Sequence, residues 1–193
     1  MAAAPASSEL LRPVLPLPVA GARLRPFAPA DAPALTRHAN DWDIWRNLRD
    51  RFPHPYTLAD AEWYVRFVNA DGSRDLHLCI EVDGEAAGSI SVLFQDDISR
   101  RSAEIGYWLG RVCWGRGIGT AAVEALSAYA LTHFDLCRLY ATVFEYNPAS
   151  ARVLEKAGFA LEGRLRKSIT KDGQTVDGLL YSLILNAELG MGG

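Results

Sequence analysis

The chain has 193 residues, of which 49% are hydrophobic and 22% charged, and its formal net charge is −3. This length suits one domain with a substantial core. Nucleic-acid-binding proteins usually carry a positively charged surface, and this chain has a slightly negative net charge. We therefore expect no DNA or RNA partner.

The first 20 residues are rich in alanine and proline and end in Pro16-Leu17-Pro18. They have no basic n-region, and Arg12 interrupts their apolar stretch, so neither a signal peptide nor a membrane span is expected. We predict a flexible leader over residues 1–20 and a single domain over residues 21–188.

Local signals in the first half of the chain predict one strand and two helices. Residues 23–27 alternate and contain Pro26, as expected of an edge strand. Asp31 is placed to begin a helix that runs to about Asn40, and Thr57 to begin a second one. An aromatic and proline-rich connection separates the two helices.

Three consecutive strands come next. Residues 76–82 and 86–94 flank Asp83-Gly84, a strong hairpin signal, and residues 103–109 alternate between apolar and other side chains. A glycine-rich loop then opens a helix with apolar residues at helical spacing. The loop comprises Trp114, Gly115, Arg116, Gly117, Ile118, Gly119 and Thr120.

Alternating glycines before a helix N-terminus suit a phosphate or pyrophosphate, because backbone N–H groups and the positive end of the helix dipole are accessible there. Residues 117–122 also fit the dinucleotide pattern G-x-G-x-x-G/A, although more than a hundred residues precede them. A P-loop sequence is absent. The alternative is a tight turn that binds no ligand and needs glycine only for its backbone conformation.

The last third of the chain predicts a strand, a helix and a hairpin. Residues 138–144 resemble a buried strand, Asn147-Pro148 begins a helix that stops at Gly158, and residues 171–174 turn a final hairpin. The predicted order is β-α-α-β-β-β-α-β-α-β-β, a mixed α/β sheet covered by helices.

Isolated cysteines and histidines give no metal or disulfide pattern. Cys79, Cys113 and Cys137 are odd in number and lack C-x-x-C spacing, and the four histidines are scattered singly. We therefore expect reduced thiols, a cytoplasmic location and no metal.

Three segments together resemble the GCN5-related N-acetyltransferase (GNAT) superfamily, and its RimJ/RimL-like branch in particular. They are residues 103–109, residues 114–119 and the stretch from Asn147-Pro148 to Gly158-Phe159. The resemblance covers roughly residues 21–186. It implies a GNAT-like fold with acetyl-CoA as co-substrate.

In this family the loop binds the pyrophosphate, and the backbone around Leu109, Gly110 and Arg111 pairs with the pantetheine arm. Trp114 stands where the family usually has Gln or Arg, a difference of little weight because backbone amides make the chief contacts. The resemblance adds Asn147 and Arg152 to the cofactor contacts. Solvated surface positions are the alternative for Arg111, Arg116 and Arg152.

Acetyl transfer from a thioester to an amine needs a base for the amine and a proton for the departing thiolate. Glu104 is the first candidate for the base, since it shares a strand face with Gly106 and Trp108. A solvent-facing glutamate is the alternative. Glu162, which follows the second helix, is the other carboxylate that could reach the acceptor.

Ser150 is the candidate acid. Many family members have a tyrosine where this chain has Leu154, and Ser150 resembles the serine proposed for this role in the RimL-like branch. The alternative is that Ser150 only hydrogen-bonds the helix start.

Tyr56 and Trp108 could line an acceptor cleft together with Trp45 and Phe52, or they could simply be core residues. We predict an N-acetyltransferase acting on a primary amine, either a protein N-terminus or a small molecule, as a monomer or homodimer without a membrane partner. The rivals are a non-catalytic acyl-CoA-binding module and a dinucleotide-dependent oxidoreductase.

Overall fold

A computed structural model describes residues 12–70 and 74–185. Its eight strands form one sheet in the order β1-β2-β3-β4-β5-β6-β8-β7. The neighbours are antiparallel except for β5 and β6, which run parallel. The strands are β1 (Leu15–Pro16), β2 (Ala22–Arg25), β3 (Leu76–Val82), β4 (Glu85–Phe94), β5 (Ser102–Leu109), β6 (Arg138–Phe144), β7 (Ala160–Lys171) and β8 (Gln174–Ile184).

Five α-helices accompany the sheet, and two of them begin at predicted capping residues whose side chains make the cap. Asp31 also precedes the first helix as predicted, but its side chain makes no cap hydrogen bond with that helix. Thr57 accepts a hydrogen bond from the Asp60 N–H, and Asn147 accepts one from the Ser150 N–H. Such side-chain acceptors satisfy N–H groups that have no intrahelical partner. The helices are α1 (Ala32–Ala39), α2 (Trp42–Trp45), α3 (Leu58–Asn69), α4 (Ile118–His133) and α5 (Pro148–Lys156).

The predicted mixed α/β fold and element order are confirmed, with two additions. β1 pairs with β2, and Leu17 is buried, so the domain begins before residue 21 and β2 is not an edge strand. The leader prediction is therefore wrong for residues 15–17, while residues 1–11 lie outside the described residues. The second addition is α2, which occupies part of the predicted connection.

Two apolar clusters cover opposite faces of the sheet. The larger one joins α4 and α5 to side chains such as Ile105 and Leu139. The smaller one joins α1 and α3 to the other face, where Cys79 is buried and Trp108 packs against it. Alternate residues of β5 thus point toward different helices.

The sheet opens between its two parallel strands. β5 and β6 are paired only where Ser102–Glu104 faces Arg138–Tyr140, and beyond that point each strand continues with a partner on its other side. From Ile105 to Leu109, the side of β5 that faces β6 has no strand partner among the described residues. The resulting gap is called the splay below.

Candidate active site

The free edge of β5 in the splay offers backbone donors and acceptors to an extended ligand. An added strand is a recurrent way to satisfy such an edge. The edge ends at Leu109 and Gly110, where the Gly110 N–H donates to the Ala87 carbonyl at 2.7 Å. A Cβ at Gly110 would lie 2.5 Å from His38 Nδ1, so this close approach requires glycine.

The glycine loop lies beside the end of this edge and is exposed from Trp114 to Gly117. Gly115 and Gly117 have φ values of +75° and +79°, and a Cβ added to either would meet no described atom within 4 Å. The space beside both glycines is therefore open to a ligand. L side chains rarely adopt these φ values, so the same glycines also set the loop conformation.

Gly117 is the N-cap of α4. The first i to i−4 bond of the helix runs from the Ala121 N–H to the Gly117 carbonyl at 3.0 Å. The N–H groups of Ile118, Gly119 and Thr120 therefore have no acceptor within the helix and are available to an anion. The Ile118 side chain is fully buried, which fixes the helix start.

Trp114 holds the loop against β5. Its indole N–H donates to the Leu109 carbonyl at 2.7 Å, although the residue is 45% exposed. This bond joins the strand edge to the glycine loop, so Trp114 has a clear structural role at the position where the family usually has Gln or Arg.

The three candidate phosphate arginines differ in their partners. Arg111 pairs with Asp41 at 3.0 Å and with Asp43 at 3.5 Å, and Arg116 lies 3.4 Å from Asp83. Arg152 is exposed on α5 and forms no ion pair within the described part of the chain. A phosphate would have to compete for Arg111 and Arg116, whereas Arg152 is available.

Glu104 lies at the base of the splay, in the last residue pair that joins β5 to β6. Its side chain is 18% exposed and forms an ion pair with Arg49, which is 55% exposed. The carboxylate is therefore mostly covered and paired, which differs from a freely solvated glutamate. Since the arginine is on the solvent side, an incoming ammonium group could replace it.

Glu162 is separated from Glu104 by two strands. Arg138 makes a bidentate ion pair with its carboxylate, and the Ser182 hydroxyl donates to it at 2.7 Å. The hydrogen bonds from Arg138 and Ser182 lower the pKa of Glu162 to about 2. A carboxylate with such low proton affinity is a poor general base near neutral pH, so the geometry favours Glu104.

Ser150 lies in the first turn of α5, on the side of the sheet opposite Glu104. Its backbone N–H is capped by Asn147 Oδ1 at 3.1 Å, while its hydroxyl lies 2.8 Å from the Tyr107 hydroxyl. Asn147 therefore caps the helix, and the Ser150 side chain contacts β5 instead. Leu154, which stands where the resembled family often has a tyrosine, is fully buried in the core.

Of the two aromatic acceptor candidates, Tyr56 is only 5% exposed and stacks on Phe52 at 4.8 Å. Burial raises the pKa of Tyr56 above its usual range. Trp108 is half-buried, lies 5.7 Å from the Phe52 ring and shares a strand face with Glu104. Trp108 can contact an acceptor directly, whereas Tyr56 supports it through Phe52.

One segment beside Glu104 has long-range contacts that no local sequence pattern predicts. Residues 41–50, here called the acceptor-side segment, contain α2 and are joined to four other parts of the fold. These contacts are Asp41 to Arg111, Arg46 to Tyr146, Arg49 to Glu104 and Asp50 to Lys171. The segment therefore borders the face of the splay on which Glu104 lies.

Metal and membrane features are lacking in the part of the chain that the structure describes. No group of three or more His, Cys, Asp or Glu residues there could hold a metal ion. None of the described helices is both long and apolar enough to cross a bilayer.

The family model described as "Acetyltransferase (GNAT) domain" matches residues 22–160. The chain belongs to the GNAT acetyltransferase family. The "Putative ribosomal N-acetyltransferase YdaF" of Bacillus subtilis (strain 168) is 32% identical over 123 residues, which cover 64% of this chain and 65% of YdaF. The chain thus spans slightly less than two thirds of that relative.

Two further comparisons agree with this family. The L-amino acid N-acetyltransferase AaaT of Escherichia coli (strain K12) is 29% identical over 127 residues, covering 65% of this chain and 75% of AaaT. The solved structure of Mycobacterium smegmatis RimJ in complex with CoA-disulfide has 29% identity and a TM-score of 0.79, covering 93% of this chain and 90% of RimJ. The predicted fold and family are confirmed.

The residues present fit acetyl-CoA on three structural grounds. The β5 edge is free, the glycine cradle is open, and α4 presents unpaired N–H groups. When bound, acetyl-CoA would supply an activated thioester. The dinucleotide alternative is not supported, because that fold requires a mostly parallel sheet and the described strands form a single parallel pair.

Proposed function

We propose that this protein transfers the acetyl group of acetyl-CoA to the α-amine of a protein N-terminus or of a small molecule, in the cytoplasm. The observation that carries the proposal is the splay. Glu104 borders it from one face of the sheet and Ser150 from the other, and the glycine cradle lies at the end of the same β5 edge.

An α-amine suits this site better than a lysine side chain does. A peptide α-amine has a pKa of about 7.7–8.0 and a lysine about 10.4, so deprotonation at neutral pH costs the lysine about 3.5 kcal/mol more. Glu104 can first bind the ammonium in place of Arg49 and then accept its proton. The names of YdaF and AaaT, which refer to ribosomal and L-amino acid N-acetylation, support an α-amine.

Three further features complete the assignment of roles. Trp108 provides an apolar wall beside Glu104, and the acceptor-side segment limits access from solvent. Ser150 passes a proton to the departing thiolate.

The cytoplasmic location is supported by the free thiols of Cys79, Cys113 and Cys137.

Acetyl-CoA and CoA are expected to raise the melting temperature, because only the folded loop binds them. At about 100 times Kd, the free energy of unfolding should rise by about 2.7 kcal/mol, a shift of roughly 5–10 °C for a domain of this size. Differential scanning fluorimetry measures the shift. An unmoved transition with CoA together with a shift with NADH would contradict the family assignment of the loop.

Glu104→Gln is expected to lower turnover most strongly below pH 8, where an α-amine is mostly protonated, with little change in CoA affinity. The measurement is CoA release across pH with a panel of peptide N-termini and amine metabolites. Glu162→Gln is the matched variant, because it also removes an arginine-paired carboxylate from the sheet.

The two variants separate the two candidate bases. If Glu104→Gln keeps the wild-type pH–rate profile and Glu162→Gln lowers turnover, the general base is Glu162 and not Glu104. If wild-type protein binds CoA but releases none from acetyl-CoA with any amine offered, it is a non-catalytic acyl-CoA-binding module.

A further inference from the structure

The Tyr107 side chain crosses the splay at the point where β5 and β6 have separated. Tyr107 lies three residues beyond Glu104, the last residue of β5 that is paired with β6. Its hydroxyl reaches the first turn of α5, the helix that follows β6. There it lies 2.8 Å from Ser150 Oγ and 3.2 Å from the Ser150 carbonyl oxygen.

We propose that Tyr107 is a positioning residue for acetyl transfer, which donates its hydroxyl proton to Ser150 Oγ and so directs the serine proton into the splay. The inference rests on the proposed function.

Two acceptors, Ser150 Oγ and the Ser150 carbonyl oxygen, lie within hydrogen-bond distance of the Tyr107 hydroxyl. The Ser150 carbonyl is inside α5 and is a regular acceptor for the N–H four residues later. Ser150 Oγ is the shorter and the less occupied of these two acceptors, and we therefore place the phenol proton there. When Oγ accepts this bond, its own hydrogen is free to point elsewhere.

A fixed hydroxyl suits a serine that passes a proton on. In each turnover the ammonium group loses two protons, the first to Glu104 before the nitrogen attacks the thioester and the second as the amide forms, while the thiolate sulfur gains one. Ser150 can give its hydroxyl proton to the sulfur and take one from the nitrogen, so no net proton is consumed from the serine. Burial raises the pKa of Tyr107 to about 12, which keeps the phenol protonated as a donor throughout.

Tyr107→Phe tests the proposal, because it removes the hydroxyl and leaves the ring that packs against the core. We expect kcat for acetyl transfer to fall at least about 10-fold, with KM for acetyl-CoA and calorimetric CoA affinity within about 2-fold of wild type. The Tyr107→Phe/Ser150→Ala double variant should be no slower than Ser150→Ala alone, since both changes interrupt one interaction.

Tyr64→Phe is the matched control. Tyr64 makes an equivalent phenol–serine contact with Ser89 at 2.7 Å, on the opposite face of the sheet. Removing the Tyr64 hydroxyl should change the melting temperature about as much as Tyr107→Phe does, without lowering kcat. Wild-type kcat in Tyr107→Phe, or effects that multiply in the double variant, would overturn the proposal.

A spectroscopic measurement tests the contact without any turnover. In protein with isotope-labelled tyrosine, the ring carbon that bears the Tyr107 hydroxyl should shift in Ser150→Ala and stay unchanged in Ser89→Ala. An unmoved Tyr107 signal would overturn the proposal. Wild-type protein that acetylates no amine would also overturn it, and that failure of the proposed function is recognised because wild type and control are then inactive as well.

Discussion

A Gly117→Val variant is expected to fold and to lose affinity for CoA by at least about 100-fold. A branched side chain at this position would fill the open space beside the loop and tilt the backbone away from φ +79°. Hydrogen bonds to charged groups contribute about 1.5–3 kcal/mol each. Losing two of them from the start of α4 corresponds to roughly 10²- to 10⁴-fold in Kd.

Isothermal titration with CoA measures this loss, and Gly173→Val is the matched control. Gly173 has a similar φ of +71° and equally open surroundings, but it lies in the β7–β8 turn. Both variants should lose a comparable amount of stability from backbone strain, whereas only Gly117→Val should lose affinity for CoA. Tight CoA binding by Gly117→Val would contradict the assignment of the glycine loop as the pyrophosphate cradle.

The sequence predicts the parts of the site that depend on local chemistry. Asn147 and Thr57 act as caps because a side-chain oxygen and a helix N-terminus lie within three residues of each other. Asp83-Gly84 turns a hairpin because both residues take positive φ. The glycine loop is recognised for the same reason, since its conformation and open surface follow from residue type alone.

The missed features depend on contacts between distant residues or on very short elements. The Arg49–Glu104 pair spans 55 positions and the Tyr107–Ser150 contact 43, so neither leaves a periodic signal. α2 has four residues and β1 two, too few for periodicity to define. The burial of Tyr56 likewise depends on how α1 and α3 pack against the sheet.

Ser150→Ala is expected to lower kcat and kcat/KM for acetyl transfer by about 10²-fold, the low end for general acid catalysis. Both parameters should fall together, because the proton is needed only as the C–S bond breaks. The cost to folding should be small. Asn147 still caps α5 through the Ser150 backbone N–H, and one lost hydrogen bond to Tyr107 is worth about 1 kcal/mol.

Steady-state kinetics and thermal unfolding on the same preparations distinguish a proton-transfer role from a structural one. Ser89→Ala is the matched variant, because the Ser89 hydroxyl also lies within hydrogen-bond distance of a partly buried phenol, that of Tyr64, at 2.7 Å. If the two serines stabilise the fold alike, both variants should melt a few degrees lower, and only Ser150→Ala should be slow. A stable and fully active Ser150→Ala enzyme would instead identify water as the source of the thiolate proton, leaving the Ser150 hydroxyl with only its structural hydrogen bond to Tyr107 of β5.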